Sequence, residues 1–345
     1  MARNNIYPRL IGRLEALLAD YLPGDYLPGE QELAARFMVS KPTLRRAIDE
    51  LVKRNAIRRV QGIGNMVINN RPETERNLDF LCYDTIFFAQ TIRSFCREAE
   101  KMNYFASVVP LNDDISDQER IFKIVAARRP TGIALFLSPR HSSAEVGRIL
   151  EGIPCVYLSR KPEGCDGNLV GVERGGGMSR IVREFYRQGC RRFALLSDAN
   201  SHQAANEERL AGFLDGLRMC RIKSKEKWIE LSGDPEKQER FYDLFFDREL
   251  CPDALCCTND LCVGQFLNAM KKRQIDVSSL RISGYDHTVL AAYLQHDLIT
   301  VEPPRTEMGV ALANLLIRQI ENPSFSFQTQ IFPCNLIHYP RKEND

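Results

Sequence analysis

The chain contains 345 residues, of which 44% are hydrophobic and 27% are charged, and its formal net charge is +2. A chain of this length exceeds one ordinary hydrophobic core and fits two or three compact units. No apolar run reaches the ~20 residues that a membrane span needs. The amphipathic first twenty residues also lack the pattern of a signal peptide. The composition therefore predicts a globular protein in the cytoplasm, with no membrane partner.

Eleven cysteines are spread from Cys82 to Cys334, and no two of them have the C-x-x-C spacing typical of zinc ligands. The densest group, between Cys251 and Cys262, has no histidine nearby. An odd number of scattered thiols favours reduced and mostly buried side chains. We therefore expect neither a metal site nor a cofactor.

Charge is unevenly distributed along the chain. Residues 1–70 contain 11 Lys and Arg against 7 Asp and Glu, whereas the remaining residues contain 36 against 38. A mildly basic small domain beside a nearly neutral large one indicates a polyanionic partner, such as DNA, for the small domain alone.

The first seventy residues predict three helices. Apolar residues recur at helical spacing over 6–21, and the Pro- and Gly-containing stretch 23–29 ends that helix. A second helix has its apolar face within 33–37, and a third begins after Ser40, a favourable N-cap residue. Four polar or basic side chains occupy the opening turns of this third helix: Lys41, Thr43, Arg45 and Arg46.

Residues 57–68 predict a β-hairpin with Gly62 and Gly64 at its tip. By itself the basic helix is equally compatible with a solvent-exposed surface helix. Followed by a glycine-tipped hairpin, it predicts a winged helix-turn-helix domain over residues 1–70. Such a helix enters the major groove of DNA, and a glycine-rich tip lets the backbone approach a phosphate or the minor groove.

The ungapped stretch from Pro23 to Val67 resembles the DNA-binding domain of the GntR family. The resemblance implies that the protein binds a two-fold symmetric double-stranded DNA operator as a homodimer. It also implies that the DNA-facing positions are Gln31, Ser40, Lys41, Thr43, Arg45, Gln61 and Gly62. The basic helix adds Arg46 to this set. The family usually has Arg where this chain has Gln31 and Lys41, and Lys cannot form the planar bidentate contact of Arg.

Residues 71–77 are polar and predict a linker, and short apolar strands alternate with helices beyond it. This alternation predicts an α/β sensor of two doubly wound parallel-sheet lobes over 78–345. The predicted strands are 79–83, 105–109, 132–136, 154–158, 169–172, 192–196, 254–257, 281–284 and 298–301. The predicted helices include 88–102, 117–128, 176–188, 204–219, 236–247, 260–273 and 305–321. Because open α/β sheets bind ligands beyond the carboxyl ends of their strands, we expect two lobes facing one cleft.

Four short motifs over this half resemble the sensor domain of the LacI/GalR family, which is similar to periplasmic sugar-binding proteins. They are the segments 208–213, 258–260, 284–286 and 303–309. A GntR-type head joined to such a sensor resembles the arabinose repressors of Bacillus and relatives. The resemblance implies a small polar effector, and in particular a sugar.

Several residues at or near predicted strand ends are candidate ligand contacts. A sugar site needs carboxylates, amides and guanidinium groups for the hydroxyls, and an aromatic ring beneath the sugar. The candidates are Phe87, Phe88, Glu173, His202, Arg209, Asn259 and Asp286. Glu173 lies one residue away from the position at which the family usually has Asp.

Each candidate also has a simpler structural interpretation. Arg209 and Asp286 could form a salt bridge, and Asn259 could cap the helix that follows it. The two phenylalanines could belong to the core, and His202 could be an exposed loop residue. These alternatives remain open at the level of the sequence.

No catalytic motif is present. The run Gly175–Gly177 is not followed by a phosphate-binding signature, and neither a G-x-S-x-G nor an H-E-x-x-H motif occurs. Nothing in the sequence therefore points to catalysis, and the two resemblances together imply a ligand-responsive transcriptional repressor. Two alternatives are the same architecture sensing a nucleobase or an amino acid, and an α/β enzyme with an accessory basic domain.

Overall fold

The computed structural model describes residues 6–70 and 76–340, apart from short gaps at 113, 138–143, 163, 198–202, 224–226, 233, 247–249, 295 and 323. The chain divides into two compact units. The first comprises Met1–Gly171 with Arg305–Gln330, and the second comprises Val172–Pro304 with Ile331–Asp345. Among the described helices, none is long and apolar enough to cross a membrane.

The helices, in chain order, are α1 (Ile6–Leu18), α2 (Glu30–Phe37), α3 (Lys41–Lys53), α4 (Ala89–Lys101), α5 (Ile115–Ala127), α6 (Ala144–Ile149), α7 (Arg174–Arg187), α8 (Gln203–Met219), α9 (Pro235–Asp243), α10 (Asp260–Lys272) and α11 (Arg305–Glu321). A short 3₁₀ helix covers Val289–Tyr293.

The strands are β1 (Ile57–Val60), β2 (Gly64–Val67), β3 (Asn77–Cys82), β4 (Phe105–Pro110), β5 (Gly132–Phe136), β6 (Cys155–Leu158), β7 (Asn168–Val172), β8 (Phe193–Leu196), β9 (Lys227–Glu230), β10 (Ala254–Cys257), β11 (Arg281–Ser283), β12 (Leu298–Glu302), β13 (Thr329–Phe332) and β14 (Asn335–Tyr339).

The elements from Ile6 to Val67 form a winged helix. Its core joins buried side chains from all three helices, among them Leu14, Leu33 and Leu44. Helix α3 begins where the sequence predicted, because the Ser40 hydroxyl accepts a hydrogen bond from the Thr43 N–H at 3.3 Å. Strands β1 and β2 pair antiparallel over four residues each and form the wing.

Each of the two larger sheets has six strands. The orders are β13-β7-β6-β5-β3-β4 and β14-β12-β11-β10-β8-β9. Alternate residues of β8 enter different cores, since Phe193 packs with α7 and α8 whereas Leu196 packs with α9 and α10. Helices therefore cover both faces of that sheet, which confirms the predicted doubly wound fold class.

The prediction was incomplete at the sheet edges. Strands β9, β13 and β14 were not predicted, and β14 pairs antiparallel with β12, so the second sheet is not wholly parallel. Residues of β13 and β14 are exposed or half-buried, and neither strand has a fully buried residue. Residues 71–75 of the predicted linker lie outside the described residues, and Asn77, its last member, begins β3.

The glycine run at the start of α7 permits close contact between helices. A Cβ placed on Gly212 of α8 would overlap the backbone carbonyl of Gly175 in α7, and one placed on Gly177 would overlap the Tyr285 side chain. The sequence suggested that these glycines let a helix begin close to a strand end. Their contacts with α8 and Tyr285 show why side chains are excluded there.

Substitution of Gly212 tests this packing. Gly212→Ala should lower the free energy of unfolding by about 1–3 kcal/mol, because neither backbone can move without disturbing its own helix. The matched control is Gly12→Ala in α1, where an added Cβ meets nothing within 4 Å. That control should be neutral or stabilising by up to about 1 kcal/mol in urea denaturation. Equal stability of the two variants would contradict the packing described.

Candidate DNA interface and effector site

The N-terminal ends of α2 and α3 lie side by side on the winged helix. The Lys41 ammonium donates to the Gln31 side-chain oxygen at 3.4 Å, and the Ser40 and Thr43 hydroxyls lie 2.8 Å apart. Gln31, Ser40 and Lys41 are exposed, and Thr43 is half-buried. Four of the predicted DNA-facing residues are thus gathered at one tip of the domain.

The two arginines that follow have different surroundings. Arg45 donates to the Glu30 carboxylate at 2.7 Å, and its side chain remains 63% exposed. The Arg46 guanidinium instead lies over the Tyr7 ring of α1, with the Tyr7 hydroxyl bonded to its backbone carbonyl. The contact between Arg45 and Glu30 was not predicted, although Glu30 stands beside Gln31 in the sequence.

The wing carries the other predicted positions. Gln61 and Gly62 are exposed at the turn between β1 and β2, and Gly62 has a φ of +76°, which favours glycine. An ion pair of 2.8 Å between Arg59 of β1 and Asp49 of α3 joins the wing to the helix. This ion pair therefore connects the wing directly to α3.

Polar side chains lie at the carboxyl ends of β8 and β10 in the second unit. The Asn206 amide of α8 donates to the Ser197 hydroxyl at 2.7 Å, and the Thr258 hydroxyl donates to the same oxygen at 3.1 Å. All three residues are buried. This group forms because parallel strands bring their carboxyl ends to one edge of the sheet.

Arg209 and Asp286 form a buried ion pair next to this group. The Arg209 Nη2 donates to an Asp286 carboxylate oxygen at 2.8 Å, and the guanidinium lies 4.2 Å from the centre of the Tyr285 ring. The Tyr285 hydroxyl donates to the backbone carbonyl of Arg174. The sequence left open a salt bridge between Arg209 and Asp286, and the structure contains it.

Two polar atoms of α8 remain without a hydrogen-bond partner among the described residues. Arg209 Nε and Asn206 Oδ1 are both buried and unpaired, and their residues are three apart on one face of the helix. Four other buried side-chain atoms, on Asp79, Thr91, Gln118 and Ser283, also lack a partner among the described residues. Buried donors and acceptors are nearly always satisfied, so such atoms need an explanation. The two on α8 provide one donor and one acceptor within a single turn of the helix.

The backbone at Asp286 is held in an unfavourable conformation. Asp286 and His287 have φ values of +85° and +45°, which non-glycine residues rarely adopt. The His287 ring bonds to Glu302 at 2.8 Å and to the Tyr339 hydroxyl at 2.7 Å. These contacts hold the loop in place, and such conformations are found preferentially at functional sites.

Asp260 supports the same loop and was not singled out by the sequence. Its carboxylate accepts from the Thr300 hydroxyl at 2.6 Å and from both the N–H and the hydroxyl of Thr288. Burial raises the pKa of Asp260, while these hydrogen bonds act in the opposite direction. Asp260 therefore fixes the segment that follows Asp286.

The remaining predicted contacts of this unit have other positions. The Asn259 side chain caps α10 by accepting from the Cys262 N–H at 2.7 Å, which is the structural interpretation given above. Glu173 precedes α7, is more than half exposed and forms an ion pair with Arg180 at 4.0 Å. His202 lies outside the described residues.

The two phenylalanines belong to the first unit. Phe88 is buried and packs on Phe136 of β5, with ring centroids 4.3 Å apart, so it is part of the core. Phe87 is half-buried, and the Arg305 guanidinium lies 4.8 Å from its ring centre. Of the pair, Phe87 alone offers a partly open ring.

The thiols contribute little to either site. All eleven cysteines are free, and burial raises the pKa of Cys256 to about 12. Within the described ranges, no three His, Cys, Asp or Glu side chains are grouped as metal ligands would be.

Comparison with known families identifies both parts. Residues 5–67 match the family model of bacterial regulatory proteins of the gntR family, and residues 182–338 match that of the periplasmic binding protein-like domain. The chain thus joins a GntR-type DNA-binding domain to a periplasmic-binding-protein-like domain.

Several known proteins are similar to this chain over most of its length. The chain is 26% identical over 321 residues to the arabinose metabolism transcriptional repressor of Halalkalibacterium halodurans, covering 87% of this chain and 84% of that protein. It is 24% identical over 323 residues to the repressor of the same name from Geobacillus stearothermophilus, covering 88% and 87%. The fold is shared by a periplasmic binding protein/LacI transcriptional regulator from Alkaliphilus metalliredigens, whose structure is a complex with D-xylulofuranose. The TM-score is 0.62, and the identity is 18% over 78% of this chain and all of that one.

Proposed function

We propose that this protein is a cytoplasmic transcriptional repressor whose affinity for DNA is controlled by a sugar. It acts as a homodimer on a two-fold symmetric operator and catalyses no reaction. The observation that carries the proposal is a donor and an acceptor on α8, Arg209 Nε and Asn206 Oδ1, that have no partner among the described residues, in a chain that also has a GntR-type DNA-binding domain.

The exposed tip of the winged helix supports the DNA-binding part. The starts of α2 and α3 project exposed cationic and amide side chains, with Gln31 on α2 and Lys41 and Arg45 on α3. A helix N-terminus of this composition suits the major groove, where phosphate contacts supply affinity and a few side chains read bases. A two-fold operator is then the natural target of two such domains in a dimer.

The chemistry of the α8 pair favours a sugar. A hydroxyl group can accept from Arg209 Nε and donate to Asn206 Oδ1, so one or two sugar hydroxyls satisfy both atoms. An amino acid could satisfy both atoms with its ammonium and carboxylate groups, but Asp286 already neutralises the Arg209 charge that would attract the carboxylate. A nucleobase carries both donors and acceptors and is the second candidate. The names of the relatives, which are arabinose repressors, support the sugar.

Sugar binding must be linked to DNA binding in both directions. A sugar that prefers the protein with low DNA affinity releases it from the operator, and DNA lowers sugar affinity by the same factor. Repression relieved by the effector agrees with relatives that are named repressors. If the effector tightened operator binding, this sign would be wrong.

Two charge changes on the winged helix should have opposite effects on DNA affinity. Arg45→Ala should weaken binding about tenfold or more by removing a cation from the tip. Glu30→Gln should strengthen binding a few-fold, because it removes an anion near the phosphates and frees Arg45. Both are measured by anisotropy titration of a duplex selected from a random pool by the wild-type protein.

The control for this pair is Lys53→Ala, which removes the same charge from the opposite end of α3. It should change affinity less than Arg45→Ala, and Arg45→Ala should leave sugar binding intact. Weaker binding by Glu30→Gln would contradict the orientation proposed for α3.

Substitutions on α8 should distinguish residues of the effector site from residues on the exposed face of the same helix. In calorimetric titrations with L-arabinose, D-ribose, D-xylulose, purines and amino acids, the ligand that binds should be a sugar. A sugar at a hundredfold its Kd should also stabilise the protein by about 2.7 kcal/mol. Arg209→Ala and Asn206→Ala should abolish this stabilisation while leaving DNA affinity without sugar intact.

The matched control is Arg218→Ala on the same helix, because the Arg218 side chain is 82% exposed and pairs with Asp215. It should bind the sugar normally. Full sugar affinity in Arg209→Ala would refute the site, and a purine as the one ligand bound would favour the second candidate.

A further inference from the structure

Three consecutive residues at the C-terminal end of α3 are hydrogen-bonded to residues beyond the winged helix. The Lys53 carbonyl accepts from the Asn103 amide at 3.3 Å, and the Arg54 carbonyl accepts from the Arg76 guanidinium. The Asn55 amide donates to the Glu321 carboxylate at the end of α11. The helix that carries the DNA-facing residues is therefore bonded at its other end to the sensor.

These contacts complete the end of the helix. The last carbonyls of a helix have no partner within it, and a cation there is favoured by the helix dipole. Arg76 supplies both a donor and a charge, and it is only 2% exposed. Part of the C-terminal capping of α3 thus comes from outside the DNA-binding domain.

A further buried hydrogen bond belongs to the same junction, which is the set of contacts between the winged helix and the rest of the first unit. The Asn69 amide, just after the wing, donates to the Tyr104 hydroxyl at 2.8 Å, and both residues are buried. Separating the winged helix from this surface would leave such groups unpaired unless water replaced every contact. The junction therefore favours one docked arrangement within the first unit.

Helix α11 connects this junction to the opposite end of the same lobe. Its 17 residues span about 25 Å. Arg305 at its start lies over the Phe87 ring, and the Thr306 hydroxyl accepts from Gln90 at 2.8 Å. Gly309 lies so close to α4 that a Cβ would overlap the Thr91 carbonyl. A helix held this tightly moves as one piece.

We propose that Asn55 and Glu321 are positioning residues for DNA binding, which fix the end of α3 to α11 so that a displacement at the Phe87 end changes where the two α3 helices of a dimer are placed on a two-fold site. The proposal rests on the proposed function for its biological meaning. The junction itself stands on the contacts within the first unit.

Glu321 also makes the junction sensitive to pH. Burial raises its pKa to about 7, although the facing guanidinium groups of Arg76 and Arg58 lower it. A carboxyl group whose pKa is raised in the docked state favours docking while it is protonated. Docking should therefore weaken as the pH rises through about 7.

Asn55→Gly tests the contact without disturbing the backbone. Asn55 has a φ of +55°, a conformation that glycine adopts freely, so the substitution removes the amide and adds no strain. The matched control is Gln274→Gly in the second unit, where φ is +56° just after α10. Both variants should keep the helix content of the wild-type protein.

The first measurement is hydrogen exchange. Asn55→Gly should accelerate exchange in residues 54–57 and at the Phe105 amide, which bonds to the Arg76 carbonyl at 2.8 Å. Gln274→Gly should leave these amides unchanged. This measurement needs no DNA, so it tests the junction even if the proposed function fails, and unchanged exchange in Asn55→Gly would overturn the inference.

The second measurement uses DNA selected by the wild-type protein. Asn55→Gly should weaken binding to the full two-fold site about fivefold or more, because the two domains are no longer held at the correct spacing. Its affinity for a fragment with a single half-site should be that of wild type. Equal loss on both fragments would indicate damage to the DNA-binding domain itself and would overturn the positioning role.

Glu321→Gln provides the conservative comparison, since it keeps an oxygen for Asn55 and carries no charge. Between pH 6 and pH 8 the wild-type protein should lose several-fold more affinity for the full site than this variant loses. Identical pH profiles would contradict the role of Glu321.

Discussion

A buried polar group without a hydrogen-bond partner costs free energy, and this constraint explains how the residues of both sites are arranged. Asp260 shows the constraint fulfilled, because its carboxylate accepts three hydrogen bonds and thereby holds the loop after Asp286. The same constraint is fulfilled at Arg76, because its buried guanidinium bonds to the end of α3, which belongs to the winged helix. Arg209 Nε and Asn206 Oδ1 are two of the exceptions among the described residues, and they are the pair that lies within one turn of a single helix.

Local signals explain what the sequence predicted well. The start of α3 follows from Ser40, which caps the helix through short-range contacts, and the wing follows from its glycine-tipped turn. The buried strands of the two larger sheets were found because they are continuous apolar runs. Edge strands such as β13 and β14 were missed because half of each faces solvent and their pairing partners are far away in sequence.

The sites were only partly predictable for the same reason. Arg209 and Asp286 were proposed from their motifs, and the structure joins them in one ion pair. Asn206 was not proposed, since an asparagine on a polar helix is usually a surface residue. The contact between Asn55 and Glu321 joins residues 266 positions apart, and no local pattern reports such a distance.

The two sites use the same pairing of Arg with a carboxylate for different purposes, and burial decides which. Arg45 and Glu30 pair at the surface, where water weakens such a contact, so Arg45 can exchange Glu30 for a phosphate at little cost. Arg209 and Asp286 are mostly buried, and separating them would leave two charges uncompensated. Arg209 therefore presents a fixed Nε donor instead of a free charge, and a fixed, neutralised donor selects a ligand by the geometry of its hydroxyls. Under the proposed function, the tip of the winged helix can exchange its ion pair for phosphates, whereas the ion pair of Arg209 cannot rearrange. That difference suits a protein that must bind many phosphates but distinguish one small molecule.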